Sequence, residues 1–232
     1  MAESKLIPSI EMRLGSLLEV ARRREVESEA QGKKIGPAIT ISREFGCEAF
    51  PTAERLQELL EKKTGDKWLL MDKRLLEEVA RDHNLSENLL QGLGEKLRLV
   101  EEMMSTFTTR WKTEKDYYRL LCRQIVSLAN KGNVIIVGRG SAILTNSMKN
   151  CHHFRLFASP EFKARSIAKR LGISQDEAGD LIARKQKQRD KFIRDFLDRD
   201  AYDQSFYNLI FNNDKNTPEV MARTIMDYVF PA

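Results

Sequence analysis

Residues 38–60 read AITISREFGCEAFPTAERLQELL and contain a β-branched run, a loop and an amphipathic run in immediate succession. The first run predicts a strand, and the apolar spacing after Thr52 predicts a helix. Thr52 is the candidate N-cap of that helix, although Arg55 occupies the position where a capping box has Glu. A strand that passes through a tight loop into a helix opens many nucleotide-binding α/β folds, because the helix N-terminus attracts anions.

Strands and helices alternate through the rest of the chain. Short apolar runs predict further strands at 68–72, 133–137, 153–158 and 207–212. Helical spacing predicts helices at 73–81, 160–171, 174–194 and from Thr217 to the end, the third opened by a capping box. This alternation predicts an α/β fold in which a parallel sheet is flanked by helices on both faces.

Two segments fall outside the alternating pattern. Residues 1–34 read as an N-terminal helical extension, and Gly36-Pro37 marks a break before the main domain at 35–232. The extension is a candidate contact for a protein partner or for a second copy of the chain. Residues 85–130 have an almost entirely helical pattern, so we expect a helical insert there.

The composition is that of an ordinary globular protein, with 41% hydrophobic and 31% charged residues among 232. No apolar run approaches the roughly 18 residues of a membrane span, and the N-terminus lacks the apolar core of a signal peptide. We therefore expect a cytoplasmic protein with no membrane contact. The three cysteines are widely spaced and form no CxxC pair, which argues against a zinc site or a disulfide framework.

The net charge of +5 is concentrated in one segment. Residues 163–194 hold ten Lys or Arg against four Asp or Glu, a balance of +6, so the rest of the chain is close to neutral. A binder of nucleic-acid polymers is usually basic along a whole face, and we expect no such partner. Two basic helices joined at Leu171-Gly172 predict a lid, at about 163–200, that closes over a phosphate group. An exposed helix with ordinary charge pairing is the alternative.

Two loops are candidate phosphate sites. The loop from Ser42 to Ala49 has one glycine and no Lys before a Ser or Thr, so it matches a Walker A loop poorly. Its alternative role is a plain turn between strand and helix. Gly138-Arg139-Gly140 follows the clearest buried strand, and ligands of open α/β sheets bind beyond the carboxyl ends of the strands. The guanidinium of Arg139 is suited to binding a phosphate through two hydrogen bonds. The alternative is that this turn is only a surface loop.

Four motifs in register resemble the bacterial cytidylate kinase-like family over roughly residues 38–230. They are Ile39-Thr40-Ile41-Ser42-Arg43-Glu44-Phe45-Gly46, Met71-Asp72-Lys73-Arg74-Leu75-Leu76-Glu77-Glu78, Val137-Gly138-Arg139-Gly140 and Tyr207-Asn208-Leu209-Ile210-Phe211-Asn212. The resemblance implies a P-loop nucleoside monophosphate (NMP) kinase fold with an ATP-binding core, an NMP-binding helical insert and a basic lid. It also implies ATP with Mg²⁺ as the phosphoryl donor, and CMP or dCMP as the favoured nucleotide acceptor.

The resemblance assigns three groups of site residues. The ATP phosphates are expected at Ser42, Arg43, Glu44, Phe45, Gly46, Cys47, Glu48, Ala49 and Thr52. The acceptor nucleotide is expected at Asp72, Gly138, Arg139, Gly140 and Asp190, with Arg139 on the monophosphate and Asp190 on the cytosine ring. The catalytic arginines that reach the phosphates are expected at Arg165, Arg189 and Arg194.

The phosphate loop departs from the family pattern Ser-Arg-Glu-Phe-Gly-Ser-Gly-Gly-Arg. This chain has Cys47, Glu48, Ala49 and Phe50 in the last four places, so a carboxylate stands where phosphate approaches and a cation is missing. Thr52 is the nearest counterpart of a hydroxyl that holds Mg²⁺, and Arg43 is the candidate replacement cation. Two functions therefore stay open: an NMP kinase, or a catalytically impaired kinase-fold module that binds a nucleotide or a protein partner.

Overall fold

The computed structural model describes residues 36–76 and 114–231. The strands are β1 (Ala38–Arg43), β2 (Leu69–Met71), β3 (Val134–Val137), β4 (Cys151–Phe157) and β5 (Leu209–Asn212). The helices are α1 (Ala49–Thr64), α2 (Glu114–Lys131), α3 (Ser141–Leu144), α4 (Pro160–Leu171), α5 (Gln175–Leu197) and α6 (Pro218–Val229). Each predicted strand is confirmed, with shifts of one or two residues at its ends.

The strands form one five-stranded parallel sheet in the order β2-β3-β1-β4-β5. The central strand β1 pairs with β3 from Ala38 opposite Val134, and with β4 from Ala38 opposite Cys151. Strands β2 and β3 lie on one side of β1, and β4 and β5 lie on the other. The chain therefore switches at β1 from building one side of the sheet to building the other. Such a switch point opens a crevice at the carboxyl ends of the strands. The parallel α/β fold expected from the alternating pattern is confirmed.

Both faces of the sheet are buried. On one face, Ile39 and Ile41 of β1 pack with Leu56 of α1 and Ile225 of α6. On the other face, strand residues pack against α2, whose Leu121, Ile125 and Leu128 are at most 1% exposed. Burial of each such aliphatic side chain stabilises the fold by about 1.5–3 kcal/mol. The sheet is therefore a rigid support for the loops at its carboxyl edge.

Helix α1 begins four residues earlier than a cap at Thr52 predicts. Its N-cap is Glu48, with no side-chain cap, and Thr52 lies inside the first turn, where its hydroxyl donates to the Glu48 carbonyl at 2.7 Å. The expected Thr52 cap is wrong, because Pro51 is tolerated in the first turn and does not delay the helix start. The capping box at Ser174 and Glu177 is confirmed, as is the proline that opens α6.

Part of the expected organisation lies outside the described residues. This applies to the N-terminal extension at 1–34, to residues 77–81 and to the insert as far as residue 113. The described end of the insert is helical and forms α2. No helix within 36–76 or 114–231 combines the length and apolarity that a bilayer crossing requires.

Candidate functional site

A pocket of about 190 Å³ lies at the carboxyl ends of β1, β3 and β4 and is covered by α5. Its lining includes six cationic side chains, those of Arg43, Lys73, Arg139, Arg155, Lys185 and Arg189. Asp190 is the only carboxylate among the described residues that line it. A concave site with this balance concentrates anions, because the fields of its cations add up in a region of reduced dielectric.

The Gly-Arg-Gly turn follows β3 and has three successive residues at positive φ: 84° at Gly138, 56° at Arg139 and 71° at Gly140. A Cβ on Gly138 would lie 1.9 Å from Nη1 of Arg43, and one on Gly140 would lie 2.3 Å from the Leu197 side chain. A side chain at either position would therefore displace Arg43 or Leu197. A residue with a Cβ held at positive φ costs about 1 kcal/mol or more. Arg139 has such a positive φ, and its side chain lines the pocket.

Helix α5 orients the Arg139 side chain. The guanidinium carbon lies 4.6 Å from the ring centroid of Phe192, a cation–π contact. Phe192 packs edge-on against Tyr118 of α2, with ring centroids 5.2 Å apart. The residue predicted to clamp the acceptor phosphate therefore lies in the pocket between the sheet and α5.

Helices α4 and α5, which form the segment predicted as a lid, pack onto the loop between β1 and α1. Phe45, at the middle of that loop, is 5% exposed and lies in an apolar cluster with Ile167, Leu171 and Ala178. The Arg189 guanidinium carbon lies 5.0 Å from the Phe45 ring centroid, and Nη1 donates to the Arg43 carbonyl at 3.4 Å. The structure therefore brings Arg189 and the loop together.

Two side-chain amides accept hydrogen bonds from the backbone of this loop. The Phe45 N–H donates to Oε1 of Gln186 at 2.8 Å, and the Glu48 N–H donates to Oδ1 of Asn213 at 2.7 Å. Backbone donors of this kind, ahead of a helix, bind phosphates in other proteins. A charged phosphate oxygen accepts a stronger hydrogen bond than a neutral amide oxygen. Displacement of these two side chains would leave both backbone N–H groups available to a phosphate group.

The acidic side chains of the loop have partners within the protein. Glu44 accepts a 2.6 Å hydrogen bond from Nζ of Lys163. Glu48 accepts a 3.3 Å hydrogen bond from Nδ2 of Asn213. Burial lowers the pKa of Arg170, and the nearby Glu48 carboxylate opposes that shift. Partners of both kinds reduce the repulsion that Glu48 exerts on a phosphate.

Thr52 and Cys47 are buried behind the loop and do not fit as magnesium ligands. Thr52 is 0% exposed and its hydroxyl is already bonded to the Glu48 carbonyl. Burial, with the Glu44 carboxylate second, raises the pKa of the Cys47 thiol to about 12, so this thiol stays protonated. Within 36–76 and 114–231, no three His, Cys, Asp or Glu side chains cluster as metal ligands. Magnesium bound beside a nucleotide takes most of its ligands from phosphates and water and needs no such cluster.

The remaining predicted residues divide between the pocket and its surroundings. Ser42, Arg43, Gly138, Arg139, Gly140, Arg189 and Asp190 line the pocket. Asp72 is 2% exposed and accepts a 3.0 Å hydrogen bond from the Leu75 amide, so it caps the helical residues after β2. Arg165 is exposed on α4, and Arg194 is exposed in a neighbouring depression that it shares with Asp190.

Sequence reasoning missed Arg155, Gln186 and Asn213. Arg155 is a charged residue within an apolar strand, which was the available signal, and it lies opposite Ser42 in the sheet register. Gln186 precedes Asp190 by four residues and therefore shares its helix face. Asn213 directly follows β5, and no local pattern marks its contact with Glu48 across 165 positions.

Comparison with known proteins gives matches over most of the described chain. The model of the cytidylate kinase-like family matches residues 38–215. A cytidylate kinase of Pyrococcus horikoshii is 32% identical over 114 residues, which cover 47% of this chain and 57% of that protein. The chain thus matches little more than half the length of this curated relative.

Solved structures give a similar result for the fold. The crystal structure of an uncharacterized protein from Eubacterium ventriosum superposes with a TM-score of 0.63 at 21% identity, over 84% of this chain and 98% of that one. This similarity shows that the two chains share a fold. A shikimate kinase from Bacteroides thetaiotaomicron has a TM-score of 0.43 at 15% identity, over 83% and 98% of the two chains.

Proposed function

The chain belongs to the cytidylate kinase-like family, and on that premise we propose that it transfers the γ-phosphoryl group of ATP to a nucleoside monophosphate. CMP and dCMP are the favoured acceptors, because the similar Pyrococcus horikoshii protein is a cytidylate kinase. Phosphoryl transfer needs positioning and charge neutralisation more than covalent chemistry from the protein. The side chains around the pocket are of the kind that supply both.

The position of Arg139 carries this proposal. A strained turn and the Phe192 ring hold its guanidinium at a pocket lined by six cations. A guanidinium binds phosphate through two parallel hydrogen bonds, which fix both distance and orientation. Arg139 then binds the acceptor phosphate, whose oxygen is already anionic and attacks without a general base. Arg189 neutralises charge on the transferred group from the lid side.

Arg43 and Asp190 complete the proposed arrangement. Arg43 lies against Gly138, between the loop proposed for ATP and the turn proposed for the acceptor, and supplies the cation missing at Phe50. Asp190, whose Oδ1 accepts from Gln186 at 2.8 Å, contacts the acceptor base. Arg165 and Arg194 reach the phosphates only if the lid closes further, and Gly172, at φ 69°, is the proposed hinge. Magnesium would arrive with ATP and neutralise its phosphates.

A nucleotide-binding module without transfer activity is the second candidate. The loop itself favours it, because two of its amides already have acceptors and Glu48 adds a negative charge. In that case the cationic pocket would hold a nucleotide, and binding of that nucleotide, without any phosphoryl transfer, would be the function of the chain. This candidate predicts ligand-dependent stabilisation without product.

An acceptor panel separates the two candidates. The full chain is incubated with ATP, Mg²⁺ and each of CMP, dCMP, UMP and AMP, and the diphosphates are separated by chromatography. The kinase proposal expects CDP or dCDP as the main product. The second candidate is supported when none of the four gives a diphosphate while ATP or CMP still raises Tm.

A further inference from the structure

Arg155 is a buried arginine on β4 that no predicted site included. It is 6% exposed, and its Nη1 donates to the Ala201 carbonyl at 2.7 Å and to the Tyr207 hydroxyl at 3.5 Å. The guanidinium carbon lies 4.6 Å from the ring centroid of Tyr202 and 5.6 Å from that of Tyr207. Among the described parts of the chain, no carboxylate forms an ion pair with Arg155, and both of its hydrogen bonds come from Nη1.

A nearby anion would stabilise the buried guanidinium charge of Arg155. His153, two residues earlier on the same strand face, lies with Nδ1 2.8 Å from the Thr40 hydroxyl, and burial lowers its pKa to about 4, so it is neutral. An arginine does not become neutral on burial in this way, because its guanidinium stays protonated in proteins. A charge taken out of water is strongly destabilising unless it is paired. The tyrosine rings and the carbonyl offset only part of that cost.

The sheet register places Arg155 beside the proposed acceptor site. Arg155 lies opposite Ser42, at the carboxyl end of β1. It lines the same pocket as Arg139 and Gly138. With Nη1 committed to the protein, Nη2 and Nε remain to meet a ligand, and planar recognition of phosphate is what arginine does best.

We propose that Arg155 is a ligand of the acceptor phosphate, which it shares with Arg139. This inference rests on the proposed function for the identity of the acceptor. The proposed phosphate subsite contains two arginines, one from the turn after β3 and one from inside β4.

The matched control comes from a shared contact. Arg155 and Tyr207 both donate to the Ala201 carbonyl, at 2.7 and 2.9 Å. Arg155→Gln removes the cation together with that contact. Tyr207→Phe removes the Tyr207 contact with Ala201 and the 3.5 Å acceptor of Arg155, but it leaves the guanidinium in place. A purely structural role for Arg155 predicts similar losses in both variants.

The test is calorimetric titration of the full chain with CMP and separately with ATP, plus competition of CMP by inorganic phosphate. Arg155→Gln is expected to weaken CMP binding by about tenfold or more and to weaken phosphate competition in parallel. Tyr207→Phe is expected to change CMP affinity by less than about twofold, and ATP affinity is expected to hold in both. Arg155→Lys, which keeps the charge but not the fork, should fall between wild type and Arg155→Gln.

Four results would overturn the assignment: unchanged CMP affinity in Arg155→Gln, equal losses in the two variants, a loss confined to ATP, or a wild type that binds neither CMP nor phosphate. Failure of the proposed function looks different. If wild type binds CMP but forms no CDP, the proposed phosphoryl transfer is wrong. The CMP affinities of the Arg155 variants still decide whether the Arg155 assignment is correct.

Discussion

The backbone N–H of Phe45 donates a 2.8 Å hydrogen bond to Oε1 of Gln186 and thereby joins the β1–α1 loop to helix α5. Nε2 of the same side chain donates to Asp190 at 2.8 Å and to the Tyr202 hydroxyl at 3.2 Å. One amide thus links the loop proposed for the ATP phosphates to the residue proposed for the acceptor base. ATP phosphates that use the Phe45 amide must displace Gln186.

Replacing Gln186 tests that competition. In Gln186→Leu the Phe45 N–H has no side-chain acceptor, so we expect ATP affinity to rise by about threefold to tenfold and the Tm of the free protein to fall by a few degrees. Calorimetry and thermal unfolding measure the two effects. The exposed Gln204→Leu is the control and should change neither. A lower ATP affinity in Gln186→Leu would show that Gln186 supports the bound state instead.

Glu48 is the charge expected to weaken ATP binding most. Glu48→Gln removes the negative charge while keeping the shape, so ATP affinity should rise by about twofold to tenfold, more at low salt than at high salt. Asp227→Asn makes the same charge change at an exposed position of α6 and should have no effect. Equal responses in the two variants would mean that Glu48 acts only through net charge.

Gly138→Ala separates backbone strain from steric displacement. A Cβ at this position meets Nη1 of Arg43 at 1.9 Å, whereas Gly65, at a similar φ of 73°, has open space around it. Both alanine variants should lose about 1 kcal/mol of stability from the positive φ. Only Gly138→Ala should also weaken nucleotide binding, because it moves Arg43. Titration of both variants with ATP and CMP checks this, and equal affinities would contradict the packing role of Gly138.

His153 gives the fold a defined pH dependence. Burial lowers its pKa from 6.5 to about 4, so the unfolded chain binds its proton more tightly. The stability from neutral His153 is fully present above about pH 6.5 and is lost as the pH falls toward 4, by on the order of 2–3 kcal/mol. Urea unfolding across that range measures the loss. His153→Asn should flatten the profile, and a wild-type profile already flat would refute the assignment.

The sequence predicted the sheet and the glycine-flanked arginine because both are local. The β-branched runs, the capping box at Ser174 and the Gly138 turn each depend on neighbours within a few positions. The contacts that shape the pocket are not local: Phe45 meets Gln186 across 141 positions and Glu48 meets Asn213 across 165. Arg155 was missed because its burial depends on the register of β4 against β1, which no single segment encodes.

Binding of CMP to wild type and to Arg139→Ala tests the central claim, that Arg139 holds the acceptor phosphate. The exposed Arg223→Ala on α6 is the matched control. We predict that Arg139→Ala weakens CMP binding by about a hundredfold, a loss of roughly 2–3 kcal/mol, and abolishes CDP formation, while Arg223→Ala behaves as wild type. CMP affinity that is unchanged in Arg139→Ala would contradict the account.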